Sequence, residues 1–125
     1  MQENDIREYL DSNGYPAHVV EGGSAGLVKR YRDFVAEVER GYEYNLHNYR
    51  NDLDLRGLLR LFGMDAEAAE CDERFEALLT ARESRVWESG PDAPFWDFGY
   101  PRNASRALLY DLAREGLLQP APDEA

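Results

Sequence analysis

The apolar residues between Ser24 and Gly41 restrict what this chain can fold into. Leu27, Tyr31, Phe34, Val35 and Val38 stand at offsets of 0, 4, 7, 8 and 11, the spacing of one helix face. A stripe this wide must be covered by neighbouring elements. Ser24 suits the N-cap of the helix, and Gly41 stands where a left-handed residue ends it. The same three-and-four spacing recurs at Ile6, Tyr9 and Leu10, which predicts a first helix over Glu3 to Asn13, broken by Gly14-Tyr15-Pro16. His18-Val19-Val20 reads as a short extended piece between the two.

The stretch from Leu46 to Gly63 carries two stripes about half a turn apart. Leu46, Tyr49 and Leu53 form one; Leu55, Leu58, Leu59 and Phe62 form the other. Continued as one helix, the first stripe runs into Arg56, Gly57 and Arg60. Either one helix is buried on two sides or the segment breaks, and the capping residues favour a break. The expectation is therefore a break near Asn51, which would act as N-cap with Asp54 reaching back. Asp65 is expected to cap a further helix reaching about Arg85, with Ala68, Cys71, Phe75, Leu78 and Leu79 inward.

Residues 87–103 differ in kind. Gly90, Pro91, Pro94, Gly99 and Pro101 alternate with Trp87, Phe95, Trp96, Phe98 and Tyr100, predicting an irregular loop anchored by its aromatic rings. Asn103 is expected to cap a last helix carrying Leu108, Leu109 and Leu112, which Gly116 ends while Leu117 folds back. The pattern as a whole predicts an all-α single domain, residues 1–119. It has about five helices, a long aromatic-rich loop before the last one, and a flexible tail over 120–125.

Charge and composition narrow the functional classes. The chain has 125 residues, 43% hydrophobic and 12% aromatic, enough to bury a core. Its net charge of −11 repels nucleic acid and anionic membrane surfaces. One cysteine, Cys71, forbids an internal disulfide, and no basic-then-apolar leader or long apolar run is present, so a cytoplasmic location is expected.

No motif identifies a catalytic centre. His18 and His47 lie in different segments, with no cysteine or second histidine at ligand spacing, so no metal or cofactor is expected. Asp52 and Asp54 start a pattern like a calcium loop, but Arg56 takes the third ligand position and Gly63 the twelfth. Cys71 sits on an apolar face among Glu70, Asp72 and Glu73, where a thiolate is disfavoured.

Two binding readings stand. The first is a non-catalytic acidic module that recognises a basic protein surface, comparable by analogy alone to an inhibitor, antitoxin or immunity protein. Its candidate contacts are Glu67, Glu70, Glu73 and Glu76 on the acidic helix, with Trp87, Trp96 and Tyr100 from the aromatic loop. Self-association is compatible with it. The second is a protein or enzyme that binds a small phosphate or carboxylate. The glycine-rich helix start Gly22–Gly26 would use Gly23 and Ser24, backed by Lys29 and Arg30.

Overall fold

Proline and glycine set the first corner of the molecule. Pro16, with φ −58°, opens helix α2 (Ala17–Arg40) after helix α1 (Glu3–Ser12) has ended at Asn13 and Gly14. The computed structural model describes residues 2–87 and 92–118. Helix α3 (Leu46–Leu61) and helix α4 (Asp65–Leu78) follow, then strand β1 (Leu79–Arg85). A single 3₁₀ turn (Phe95–Asp97), strand β2 (Phe98–Pro101) and helix α5 (Arg106–Arg114) complete the order. The described residues thus form a mostly helical fold with five α-helices and one two-stranded sheet. The expected flexible tail and residues 88–91 of the aromatic loop lie outside them.

Helix α2 is the centre of the packing and touches α1, α3 and α4; α3 in turn supports α4 and α5. Leu27, Tyr31, Phe34, Val35 and Val38 are all buried, as their spacing requires. Phe34 meets Phe75 of α4 edge-on at 5.3 Å and is ringed by Tyr31, Tyr42 and Tyr49.

Four local expectations are corrected. His18-Val19-Val20 is helical, because Pro16 starts the helix earlier; Gly23 then kinks it with φ 58° and ψ −150°. The segment from Leu46 is one continuous helix capped by Asn45, whose side chain accepts from the Asn48 amide at 3.0 Å, so Asn51 caps nothing. It is buried on two sides, and the Arg56 charge on its core face is accommodated by the carboxylates of Asp65 and Asp72. Asp65 is the first residue of α4 rather than its cap, and that helix stops at Leu78, where the chain becomes strand β1. Ser105, not Asn103, caps α5: its Oγ accepts from the Leu108 amide at 3.1 Å and donates to the Tyr44 carbonyl at 2.7 Å.

The aromatic segment also acquires regular structure where a loop was expected. β2 pairs antiparallel with β1, in register Leu79↔Pro101 and Thr80↔Tyr100, and a bulge precedes Arg85↔Phe98. Gly99 permits this approach, since a Cβ there would stand 2.6 Å from the Thr80 carbonyl oxygen and its φ is 78°. At the C-terminus of α5 Gly116 is left-handed and the Leu117 amide returns to the Leu112 carbonyl at 2.9 Å, the expected fold-back.

The kink at Gly23 gives a test with two opposite signs. A Cβ on Gly23 would lie 2.1 Å from Glu3 Oε1, in a backbone region essentially reserved for glycine, whereas Gly22 is helical with open space around it. Gly23→Ala is therefore expected to destabilise by about 2–3 kcal/mol. Gly22→Ala is expected to stabilise by about 0.5–1 kcal/mol in urea melts, and a loss there would show that the first segment of α2 is not a regular helix.

Candidate protein-binding face

The position of α4 is governed by one arginine. Arg56 is 1% exposed and lies on the stripe of α3 that includes Leu46, Tyr49 and Leu53. An unpaired charge there would cost several kcal/mol, so its partners decide whether α3 can stay continuous. Its Nε donates to Asp72 Oδ1 and its Nη2 to Asp72 Oδ2, both at 2.8 Å, a two-pronged pairing. Nη2 also donates to Asp65 Oδ1 at 2.7 Å, and Tyr31 donates its hydroxyl to Asp72 Oδ1 at 2.6 Å. The guanidinium carbon stands 4.4 Å from the Trp96 ring centre, and that of Arg60 stands 4.7 Å from it.

The electrostatics follow from this geometry. Burial opposes the charge of Arg56, yet the Asp72 and Asp65 carboxylates outweigh it and raise its pKa. Hydrogen bonding from Arg56 holds the Asp65 carboxyl below the usual range. Further along α4, Arg74 pairs with Glu39 of α2, and Arg82 donates to the Glu76 carbonyl at 3.1 Å and to its Oε2 at 3.4 Å. Helix α4 is thus held from behind by charged contacts at both ends.

Its outer side carries Glu67, Glu70 and Glu73, all exposed and without a hydrogen-bond or ion-pair partner among the described residues, and Ala66, Ala69 and Ala77 of the same helix are exposed as well. Glu76, the fourth predicted acid, is partly covered and receives Arg82. The aromatic candidates separate from this face. Trp96 is 5% exposed and belongs to the core, which corrects its assignment as a surface contact: the stacked Arg56 and Arg60 close over it. Tyr100 is half-buried against the core opposite Thr80. Trp87 is 36% exposed at the far end of β1, its ring 5.2 Å from the Arg50 guanidinium carbon.

The glycine-rich helix start is filled from within. Glu3 of α1 accepts from the Ser24 amide through Oε1 at 2.9 Å and from the Ser24 hydroxyl through Oε2 at 2.7 Å. These bonds, the hydroxyl's first, hold the Glu3 carboxyl below its ordinary range. The amide and hydroxyl that a bound phosphate or carboxylate would use thus serve to fasten α1 onto α2. Lys29 pairs with Asp33 at 2.8 Å, one turn on, while Arg30 is exposed. Asp52 and Asp54, the calcium-loop acids, accept from the hydroxyls of Tyr42 and Tyr15, each at 2.7 Å. His18 is exposed, His47 lies 3.3 Å from the Asn51 side-chain amide, and Cys71 is buried. Among the described residues no three His, Cys, Asp or Glu side chains converge as metal ligands, and no helix is long and apolar enough to cross a membrane.

Sequence reasoning missed Arg56 as the organiser of this region. The signal was available: a cation at the continuation of a core stripe, followed by Asp65 and Asp72 one helix later. No protein-family model, curated protein or solved structure matches the chain.

Proposed function

We propose that this protein is a non-catalytic interaction module whose outer α4 face docks on a basic surface of a partner protein. The observation that carries the reading is the set Glu67, Glu70 and Glu73, exposed and unpaired among the described residues on a helix fixed from behind by Arg56. Carboxylates of one sign on a fixed helix steer a cationic partner before contact. The net charge of −11 extends that field and disfavours nucleic acid and anionic membranes as partners. The lone buried Cys71 suits a reducing, cytoplasmic setting. Proteins that block a basic active surface, such as inhibitors of nucleic-acid enzymes, work in this way, and that likeness is one of physics alone. The competing small-anion reading loses its main support because Glu3 already takes up Ser24.

The test is the triple variant Glu67→Gln, Glu70→Gln, Glu73→Gln. Basic proteins retained from lysate by the wild-type chain at low salt are expected to escape the variant. For a partner isolated in this way, the association rate should fall at least about tenfold with little change in dissociation. Stability should move by less than about 0.5 kcal/mol, since these are solvated charges. Equal retention by both proteins would overturn the proposal.

A further inference from the structure

The outer side of α5 is unlike the rest of the surface. Arg106, Tyr110 and Arg114 recur every four residues along it and form one exposed row, with Ala107 and Ala113 beside them. Tyr110 is 65% exposed, the most of any large hydrophobic residue described, and the Arg114 guanidinium carbon lies 5.6 Å from its ring centre. The acids nearby are engaged: Asp111 accepts from the Leu46 amide and from Arg114, both at 3.4 Å, and Glu115 pairs with Arg50 at 2.9 Å. The side chains of Arg102 and Arg106 have no hydrogen-bond or ion-pair partner among the described residues. A molecule of net charge −11 thus carries a helix face on which arginine and tyrosine predominate, the residue types that anchor protein interfaces.

We propose that this row docks on the α4 face of a second copy of the chain, Arg106 and Arg114 pairing with Glu67, Glu70 and Glu73 while Tyr110 lies over the exposed Ala69 among them. The inference deepens the reading of α4 given above and rests on it, naming a second copy, through its arginine row, as one partner for that face. The complement is one of charge and of length. Arg106 to Arg114 spans about 12 Å and Glu67 to Glu73 about 9 Å at 1.5 Å per residue, so two helices laid side by side bring the rows into register. Both helices pack on α3 with these rows outward, leaving each free to meet another molecule. The contact joins two different patches, so it links copies head to tail, or closes a two-fold pair when both contacts form together. Net repulsion between copies is cut to groups within about 8 Å at 0.15 M salt, where the facing pairs decide.

Sedimentation equilibrium of the full chain at that ionic strength provides the test. The wild type is expected to self-associate. Arg106→Glu with Arg114→Glu should weaken association about 100-fold, and so should Glu67→Arg with Glu70→Arg and Glu73→Arg. Mixing the two charge-reversed proteins should restore a complex, since the acidic α5 of one then meets the basic α4 of the other. Circular dichroism melts confirm that both variants fold; if either fails, Tyr110→Ala alone should still reduce association at least about tenfold. A wild-type chain that stays monomeric, or reversals that leave association unchanged, would overturn the inference. Salt-sensitive retention of a basic protein by a monomeric wild type would do so while leaving the function proposed for α4 intact.

Discussion

Replacing Arg56 with alanine is expected to cost about 3–5 kcal/mol, a large part of the stability of a domain this size. The loss does not equal the strength of the ion pairs. It arises because Asp72, largely covered and bonded to Tyr31, is left without its counterion. Removing that stranded carboxylate as well should recover part of the loss: Arg56→Ala with Asp72→Asn should be more stable than the sum of the single changes predicts, with a coupling of about 1–3 kcal/mol in urea melts. A pH series gives an independent reading. Asp65 has its carboxyl pKa lowered in the folded state by Arg56, so its contribution is present above the unfolded value of 3.8 and is lost as pH falls below it. Wild-type stability should therefore decline on acidification through that range, and the Arg56→Ala protein should show a shallower decline. A cost under about 1 kcal/mol with additive single effects would mean that water, not Asp72, balances the arginine.

Arg56 also explains which parts of the fold the sequence discloses. The stripe of α2 is readable because every residue on it is apolar and every contact it needs comes from another apolar face. The break expected in α3 rests on Asn51 as an N-cap with Asp54 reaching back, and the helix instead runs on because two aspartates from the next helix approach the one guanidinium on its core stripe. Those contacts join residues 9 and 16 positions apart, beyond what periodicity can report. Strand β1 was hidden for a similar reason. Leu79-Thr80-Ala81-Arg82-Glu83-Ser84-Arg85 alternates weakly and reads as the tail of a charged helix, and its partner β2 lies in a segment whose prolines and Gly99 suggest a loop. The acids of α4 were legible as a group, but their division was not. Asp65 and Asp72 turn inward to Arg56 and Glu76 meets Arg82, while Glu67, Glu70 and Glu73 stay outward. At Gly22–Gly26, read from the sequence as a helix start for an external anion, α2 has already begun at Ala17, and just past the kink at Gly23 the Ser24 amide and hydroxyl donate to Glu3.

Alkaline conditions should unfold this protein sooner than its acidic composition alone would. Tyr31, Tyr42 and Tyr49 are buried to within 1% of complete coverage, and burial first of all pushes each phenol above its ordinary range. Hydrogen bonds to Asp72 and Asp52 add to the effect at Tyr31 and Tyr42, where a phenolate would face a carboxylate. Tyr49 has no hydrogen-bond partner for its hydroxyl among the described residues, so burial acts alone there. The sign follows from comparing the two states. Below pH 10, the unfolded value, all three phenols are protonated in both states and full stability is present. Above it the unfolded chain releases protons that the folded chain retains, and each tyrosine removes about 1.4 kcal/mol per pH unit. Three together should lower stability by about 4 kcal/mol at pH 11, enough to bring the unfolding midpoint close to working conditions. Urea melts from pH 8 upward, followed by phenolate absorbance, check this: the three buried tyrosines should ionise only with unfolding. Tyr49→Phe keeps the ring packing against Phe34 and Tyr42, so it should cost little at neutral pH and reduce the alkaline slope by about one third. If all eight tyrosines ionise together near pH 10 with the helices intact, water reaches those hydroxyls and the packing of Tyr31, Tyr42 and Tyr49 around Phe34 is wrong.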